Sequence, residues 1–232
     1  MANVITSQPK SVGVAPVSQS GVVTRKYAVE FIGAFFLTFV VGMSALSGSV
    51  FTPLAAGATL MVMIYAGGHI SGGHYNPAVT LAALVRGRIG IRDAVGYWIV
   101  QAVGGVVAGA LARALVNPAA VKTLTLSGHT EAAAAVAELL ITFALCYVVL
   151  NVATSKDQPG NGFFGLAIGF TIAAGAFAVG GISGGVFNPA VALGGATAGL
   201  FAWSTIWVYL LVQLAGGVAA GLAFRALNPG DK

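Results

Sequence analysis

The stretch His69-Ile-Ser-Gly-Gly-His-Tyr-Asn-Pro-Ala-Val-Thr-Leu-Ala82 occurs a second time in the chain, as Gly181-Ile-Ser-Gly-Gly-Val-Phe-Asn-Pro-Ala-Val-Ala-Leu-Gly194. The two copies share nine identical positions at a constant spacing, called the repeat offset below, which pairs His69 with Gly181. Both stand in apolar surroundings, where glycines and an Asn-Pro pair interrupt a helix at a cost. A helix breaker at matching positions of two halves indicates a site at the interface of an internal repeat.

Composition places the chain in a lipid bilayer. It is 57% hydrophobic and only 7% charged, whereas a soluble domain carries about 25% charged residues. The eleven basic residues are scattered, so they are interpreted as topology signals and no nucleic-acid partner is expected. Cys146 lies in an apolar run and is assigned to packing. No metal-ligand spacing and no nucleophile with a base is found, so neither a cofactor nor an enzyme is expected.

Six apolar segments are long enough to cross about 30 Å of hydrocarbon. They are residues 27–47, 53–68, 94–116, 132–152, 162–180 and 203–227. Two shorter apolar segments, 76–85 and 188–200, are predicted to be re-entrant half-helices. The predicted fold class is an all-α membrane protein with six transmembrane helices and two half-helices. Residues 1–24 are predicted to be a disordered cytoplasmic tail, and residues 25–230 one channel domain.

The repeat extends beyond the duplicated stretch. The run that starts at Gln101 and ends in Arg113-Ala-Leu matches the run that starts at Gln213 and ends in Arg225-Ala-Leu, again at the repeat offset. Each half, about 25–120 and 131–230, holds three spans and one half-helix. Because three is odd, the second half must enter from the opposite side, which predicts inverted topology.

The basic residues test this count. Under the six-span topology, only Arg113 and Lys122 fall on one side of the membrane. The other nine fall on the opposite side: Lys10, Arg25, Lys26, Arg86, Arg88, Arg92, Lys156, Arg225 and Lys232. Because Lys and Arg are enriched in cytoplasmic loops, both termini are predicted to be cytoplasmic, and the cell membrane is the expected location.

The Asn-Pro-Ala triplets predict how each half-helix begins. Proline suits the first helical position and asparagine suits the cap before it. Two half-helices from opposite sides would therefore meet amino end to amino end near the midplane, where their positive dipole ends converge. The residues concerned are Asn76, Pro77, Ala78, Asn188, Pro189 and Ala190. A third triplet, Asn117-Pro118-Ala119, lacks the preceding glycines and is interpreted as a surface turn.

The glycines before each triplet predict an extended backbone that faces a lumen. Such backbone is tolerated at membrane depth only where protein covers it or water bathes it. The sequence therefore predicts a narrow wet pore with Asn76 and Asn188 as central donors. Its acceptors are expected to be the carbonyl oxygens of Gly72, Gly73, His74, Gly184, Gly185 and Val186.

With two Ser-Gly-Gly-x-x-Asn-Pro-Ala loops, and glutamates and glutamines in corresponding helices, the chain resembles the aquaporins of the major intrinsic protein family from Tyr27 to Leu227. The resemblance implies a passive channel for water and small uncharged solutes such as glycerol, urea or hydrogen peroxide. It also implies a pore in each protomer and a homotetramer in the bilayer. A proton-coupled secondary transporter and a non-conducting membrane scaffold are the alternatives.

The same resemblance places four selectivity-filter positions, at Ala56, Ala176, Gly185 and Val191. Family members usually carry arginine at the last of these, and water-selective members carry an aromatic residue and a histidine at the first two. Four small uncharged groups predict a wider, more apolar constriction, with cation exclusion resting on the half-helix dipoles. One alternative remains open: an aromatic side chain swings in and narrows the lumen, the candidates being Phe51, Tyr75, Phe177 and Phe187.

Several polar residues allow two interpretations. Glu30 and Glu138, with Gln101 and Gln213, either couple transport to protons or hold the re-entrant backbone by hydrogen bonds; their symmetric placement favours support. His74 is either a pH-sensing gate or a loop-packing residue. The connection 154–161 either caps the pore or simply links two spans.

Overall fold

The computed structural model describes residues 19–116 and 122–231, with side chains described from Thr24 onward. Residues 1–18 of the predicted tail and the Asn117-Pro118-Ala119 triplet lie outside the described residues. The helices are α1 (Gln19–Leu46), α2 (Thr52–Ser71), α3 (Pro77–Arg86), α4 (Ile91–Leu115), α5 (His129–Thr154), α6 (Phe164–Ser183), α7 (Pro189–Ala198) and α8 (Ile206–Leu227), the last preceded by a 3-10 turn at Trp203–Thr205.

Within the described residues, six of these helices are long and apolar enough to cross a membrane. They are α1, α2, α4, α5, α6 and α8, the last counted together with its 3-10 turn. The remaining two, α3 and α7, have ten residues each and are too short to span. The predicted all-α architecture of six spans and two half-helices is confirmed.

Several helix boundaries differ from the sequence prediction. α1 begins at Gln19, inside the predicted tail of residues 1–24. α2 and α6 run three residues beyond their predicted ends at 68 and 180, to Ser71 and Ser183. Each ends at a left-handed glycine, Gly72 or Gly184, with φ of 93° and 88°. A left-handed residue stops a helix more sharply than the helical glycines before it.

The two repeats interlock through their half-helices. α3 packs against α8 and α7 packs against α4, so each half-helix lies on the third spanning helix of the other repeat. The close approach depends on glycine: a Cβ at Gly105 would strike the Ala190 carbonyl, and one at Gly217 would strike the Ala78 carbonyl. Glycine at these two positions therefore allows the half-helices to pack closely on α4 and α8.

Two faces of the bundle differ in chemistry. One carries the ends of α3 and α8 with Arg86, Arg88, Lys156 and Arg225, and is called the basic face below. The opposite face carries the connections 47–51 and 122–128. Around the waist the bundle presents large apolar side chains to its surroundings, among them Ile32, Phe36, Ile99, Leu140, Phe170 and Leu211. An apolar waist between polar faces suits a lipid bilayer.

Candidate pore and its supporting network

Each half-helix begins at an asparagine cap, as the sequence predicts. The Oδ1 of Asn76 accepts from the Ala78 backbone N–H at 2.9 Å, and the Oδ1 of Asn188 accepts from that of Ala190 at 2.9 Å. Both asparagines have extended backbone, and a proline follows each as the first helical residue. The caps satisfy amide groups that would otherwise be unpaired at the helix start.

The two caps are joined across the repeat interface. The Nδ2 of Asn76 donates to the Phe187 carbonyl at 2.9 Å, and the Nδ2 of Asn188 donates to the Tyr75 carbonyl at 3.0 Å. The amino ends of α3 and α7 therefore meet. Since an amide nitrogen carries two hydrogens, each asparagine keeps one N–H beyond this bond.

Tyr75 and Phe187 have a backbone conformation that the sequence does not predict. Their φ angles are 48° and 51°, in the left-handed region that L-residues with side chains rarely adopt. Such a residue costs about 1–3 kcal/mol and persists only where its surroundings hold it. Both carbonyls accept from the asparagine of the other repeat, so this strained turn is part of the contact between the halves.

Glu30 holds the first re-entrant loop. Its Oε1 accepts from the Ser71 hydroxyl at 2.7 Å and the His74 N–H at 3.0 Å. Its Oε2 accepts from the Tyr75 N–H at 2.7 Å and the Gln101 Nε2 at 2.8 Å. The carboxylate is fully buried, so these four donors replace its hydration.

Glu138 repeats this arrangement in the second loop. Its Oε1 accepts from the Ser183 hydroxyl at 2.7 Å and the Val186 N–H at 2.9 Å. Its Oε2 accepts from the Phe187 N–H at 2.7 Å and the Gln213 Nε2 at 2.8 Å. Glu30 and Glu138 therefore bond re-entrant backbone directly, and Gln101 and Gln213 bond these two carboxylates.

Two tyrosines complete the support and were not singled out in the sequence. The Tyr97 hydroxyl donates to the Ser71 carbonyl and the Tyr209 hydroxyl to the Ser183 carbonyl, both at 2.6 Å. Both side chains are buried. The tyrosines are separated by the repeat offset. That spacing is the only sequence signal that could have identified them.

The two loops differ in the side-chain contacts around the glutamine. In the first, the Nδ1 of His74 lies 3.0 Å from the Thr80 hydroxyl, which also accepts from the Gln101 Nε2 at 3.0 Å. In the second, Val186 and Ala192 occupy the matching positions of the repeat. Accordingly, the Oε1 of Gln213 is buried without a hydrogen-bond partner.

The six carbonyl oxygens predicted as pore acceptors, called the carbonyl ladder below, are available to a solute. Among the hydrogen bonds of residues 19–116 and 122–231, none from the protein reaches the carbonyl oxygens of Gly72, Gly73 and His74, or those of Gly184, Gly185 and Val186. Gly72 and His74 line a cavity of about 510 Å³ at the basic face. Gly184 and Gly185 line one of about 280 Å³ towards the opposite face.

Three of the four predicted filter residues come together. Ala56, Ala176 and Gly185 line the same 280 Å³ cavity, while Val191, 5% exposed, is not part of that lining. Of the aromatic residues considered as obstructions, Tyr75 and Phe187 are fully buried. Phe177 does line the cavity and is the only aromatic side chain to do so among the described residues.

Known proteins share this architecture. The family model for the major intrinsic proteins matches residues 17–224. The chain belongs to the major intrinsic protein family. It is 39% identical over 217 residues to glycerol uptake facilitator protein-like 6 of Lactiplantibacillus plantarum, covering 89% of this chain and 100% of that protein. It is 37% identical to aquaporin NIP1-4 of Oryza sativa subsp. japonica, covering 88% of this chain and 77% of the relative.

A solved structure shows the same fold. The X-ray structure of the aquaglyceroporin from Plasmodium falciparum superposes with a TM-score of 0.71 at 20% sequence identity, covering 89% of this chain and 98% of that one. This major intrinsic protein is therefore an integral, multi-pass membrane channel and not an enzyme.

Proposed function

We propose that this chain is a passive channel for water and for small uncharged solutes of the glycerol, urea and hydrogen peroxide class. The observation that carries the proposal is the meeting of two capped amino ends, Asn76 against Phe187 and Asn188 against Tyr75, between lumen-side carbonyls. The relatives include both a glycerol uptake facilitator-like protein and aquaporins, which fits a solute range wider than water.

Permeation follows from hydrogen-bond exchange. A solute entering the pore loses water partners and gains the carbonyls of Gly72, Gly73 and His74, then the free N–H groups of Asn76 and Asn188. A cation meets the positive ends of α3 and α7 at the same place and is repelled. Both steps need no conformational change, so flux follows the gradient.

The buried carboxylates support a channel over a proton-coupled transporter. Each of Glu30 and Glu138 already accepts four hydrogen bonds from its own loop. A proton-coupling group must exchange its proton with the transport path, whereas these carboxylates are occupied on every side. Their role is to hold the loops.

The filter residues support passage of bulkier solutes. Ala56, Ala176 and Gly185 contribute at most one methyl group each to the 280 Å³ cavity, and Val191 brings no charge. Without a guanidinium, no fixed cation narrows the constriction. The half-helix dipoles are then the main barrier to cations.

Orientation and assembly complete the proposal. The basic face is assigned to the cytoplasm of a cell membrane, which places both termini there. The apolar waist, with Ile32, Phe36 and Phe170 exposed, supplies surface for lipid and for neighbouring protomers. Family resemblance makes a homotetramer with one pore per protomer the assembly we propose.

Stopped-flow light scattering of proteoliposomes tests the solute range. Wild type should pass water, glycerol and urea, while hydrogen peroxide is followed with a trapped dye. Val191→Arg should reduce glycerol and urea flux far more than water flux, because the guanidinium occupies the constriction. Val191→Leu, which adds bulk without charge, is the matched control and should change the flux ratio little. Strict water selectivity of the wild type would contradict the wide filter.

A further inference from the structure

One carboxylate ties three segments together at the basic face. Asp231, which follows α8, accepts from the Nη2 of Arg86 at 2.6 Å and from the Nη2 of Arg88 at 3.3 Å. Its second oxygen accepts from the Lys156 backbone N–H at 2.8 Å, and the Nζ of Lys156 lies 3.9 Å from the first. The end of α3, the α3–α4 connection and the α5–α6 connection thus share one anchor.

The ion pair between Arg86 and Asp231 is buried and packed against other side chains. The Arg86 side chain is 1% exposed and that of Asp231 is 6% exposed, and the Arg86 guanidinium lies 4.3 Å from the centre of the Phe224 ring. The Lys156 N–H and then the Arg86 guanidinium hold the pKa of Asp231 below its ordinary value. Asp231 therefore stays charged at physiological pH, and a charged acceptor binds its donors more strongly than a neutral one.

The segment held by this anchor borders the pore entrance. Ser155 and Lys156 line the 510 Å³ cavity that reaches Gly72 and His74. Gln158, Gly160 and Asn161 line a neighbouring cavity of about 340 Å³ that reaches Gly72 and Gly73. Residues 155–161 therefore frame both openings onto the predicted carbonyl ladder.

Asp231 itself lies outside the two cavities at the pore entrance. Asp231 lines neither of these cavities; it lines another, between the ends of α3 and α8, with Arg86, Gly87 and Arg225. Lys156 lines the entrance cavity, so the bond from its N–H ties the connection to a residue that lies outside that cavity. The Nη2 of Arg88 adds a bond to the Thr154 carbonyl at 3.0 Å, which fixes the start of the connection.

We propose that Asp231 is a latch that keeps the 155–161 connection clear of the pore entrance, and that releasing it lowers permeation. The inference rests on the proposed channel function, because only a conducting pore has a permeability to lower. Loss of the carboxylate charge weakens the bonds to Arg86 and Lys156 together. The connection, still tethered at both ends, then spreads over the two openings.

Asp231→Asn tests the latch, with Asp157→Asn as its matched control. The asparagine keeps an oxygen for Arg86, so the fold is retained while the charge is lost. The control removes the same charge from an exposed residue of the connection. We expect Asp231→Asn to lower osmotic water permeability per reconstituted protein at least about twofold, and Asp157→Asn to leave it unchanged.

Hydrogen–deuterium exchange of the purified protein gives an independent readout that needs no conduction. Amides of residues 155–161 should exchange faster in Asp231→Asn and not in Asp157→Asn. Should Asp231→Asn fail to reconstitute, Arg88→Met keeps the side-chain length, cuts the bonds to Asp231 and Thr154, and should shift both readouts in the same direction by less.

The outcomes separate this proposal from the channel proposal. Faster exchange with lower permeability supports the latch. Unchanged exchange overturns the anchor, and faster exchange with unchanged or higher permeability overturns its control of the entrance. A wild type that conducts nothing contradicts the channel function itself, while the exchange experiment still decides whether the anchor exists.

Discussion

The two re-entrant loops of this channel share one set of hydrogen bonds to a buried glutamate and differ in the contacts around the neighbouring glutamine. In each, one buried glutamate accepts from a serine hydroxyl, two consecutive backbone N–H groups and a glutamine. The first loop adds His74 and Thr80 to its glutamine, whereas the second has Val186 and Ala192 there. The glutamate contacts that hold the backbone are therefore present in both loops, whereas the contacts of His74 and Thr80 are present in the first loop alone.

The far ends of the half-helices make a second comparison. Arg225 donates to the Val85 carbonyl near the end of α3, and Arg113 donates to the Ala198 carbonyl at the end of α7. Beyond these matched contacts, α3 is closed by the ionic cluster on Asp231, while the segment after α7 is closed by backbone pairing of Leu124 with its neighbours at 200 and 202. The basic face is held by charge and the opposite face by backbone.

The largest effect is expected from removing either glutamate. Glu30→Ala and Glu138→Ala each leave four buried donors without an acceptor, at about 1–3 kcal/mol for each group. Both variants should be strongly destabilised, which is measured as a lowered thermal midpoint of unfolding in detergent. Because the two networks match, the losses should be similar. A variant of near wild-type stability in one half alone would break the comparison.

The glutamines sharpen the difference between the loops. Gln101→Leu removes bonds to Glu30 and Thr80, whereas Gln213→Leu removes one bond to Glu138 and also removes a buried oxygen that has no partner. Gln101→Leu should therefore cost about 1 kcal/mol more than Gln213→Leu. Denaturation midpoints measure the two variants side by side. Equal losses would show that Thr80 contributes nothing.

Acid should loosen one face only. The folded-state pKa of Asp231 lies below its ordinary value of 3.8. The stabilisation is thus fully present above that value and is lost as pH falls through the lower folded pKa. The charged side chains that face Asp231 are Arg86, Arg88 and Lys156, and Arg225 lines the same cavity. Hydrogen exchange at residues 155–161 should stay slow down to about pH 4 and rise below it.

The backbone-paired segment at the opposite face is the internal control for acid. Leu124 donates its N–H to the Leu200 carbonyl at 2.8 Å and accepts from the Ala202 N–H at 3.1 Å. Neither bond involves a titratable group, so protection of these amides should not follow the same pH course. Parallel loss at both faces would indicate general unfolding instead.

The smallest effect is expected from the paired arginines. Arg113→Ala and Arg225→Ala each remove one bond and one favourable charge at the end of a half-helix, at about 0.5–1 kcal/mol. The more buried Arg113 should matter slightly more than the exposed Arg225. Thermal midpoints of the single variants test this order. A loss of several degrees for Arg225→Ala alone would contradict it.

The fold was largely predictable from the sequence because the repeat carried it. Two breakers separated by the repeat offset indicated the half-helices and their asparagine caps, and symmetric placement indicated the supporting glutamates and glutamines. The same offset contained Tyr97 and Tyr209. The left-handed backbone at Tyr75 and Phe187 was not predictable, since neither residue type favours it and contacts from the other repeat hold it.

The ionic anchor lay beyond sequence reasoning for another reason. Asp231 and Arg86 are far apart in the chain, and the repeat provides no second copy, because Ala198 stands where Arg86 would recur. The end of α2 was placed at residue 68, three residues before the observed end at Ser71, which precedes the left-handed Gly72.

We infer that two opposed half-helix amino ends let water pass and exclude protons in this channel without a filter arginine. Proteoliposomes holding a pH-sensitive dye allow osmotic water flux and proton flux to be measured on one preparation of wild-type protein. We predict water permeability well above that of empty liposomes, with proton flux no higher than in those liposomes. Proton flux that rises with the amount of protein, or water flux that requires a proton gradient, would contradict this inference.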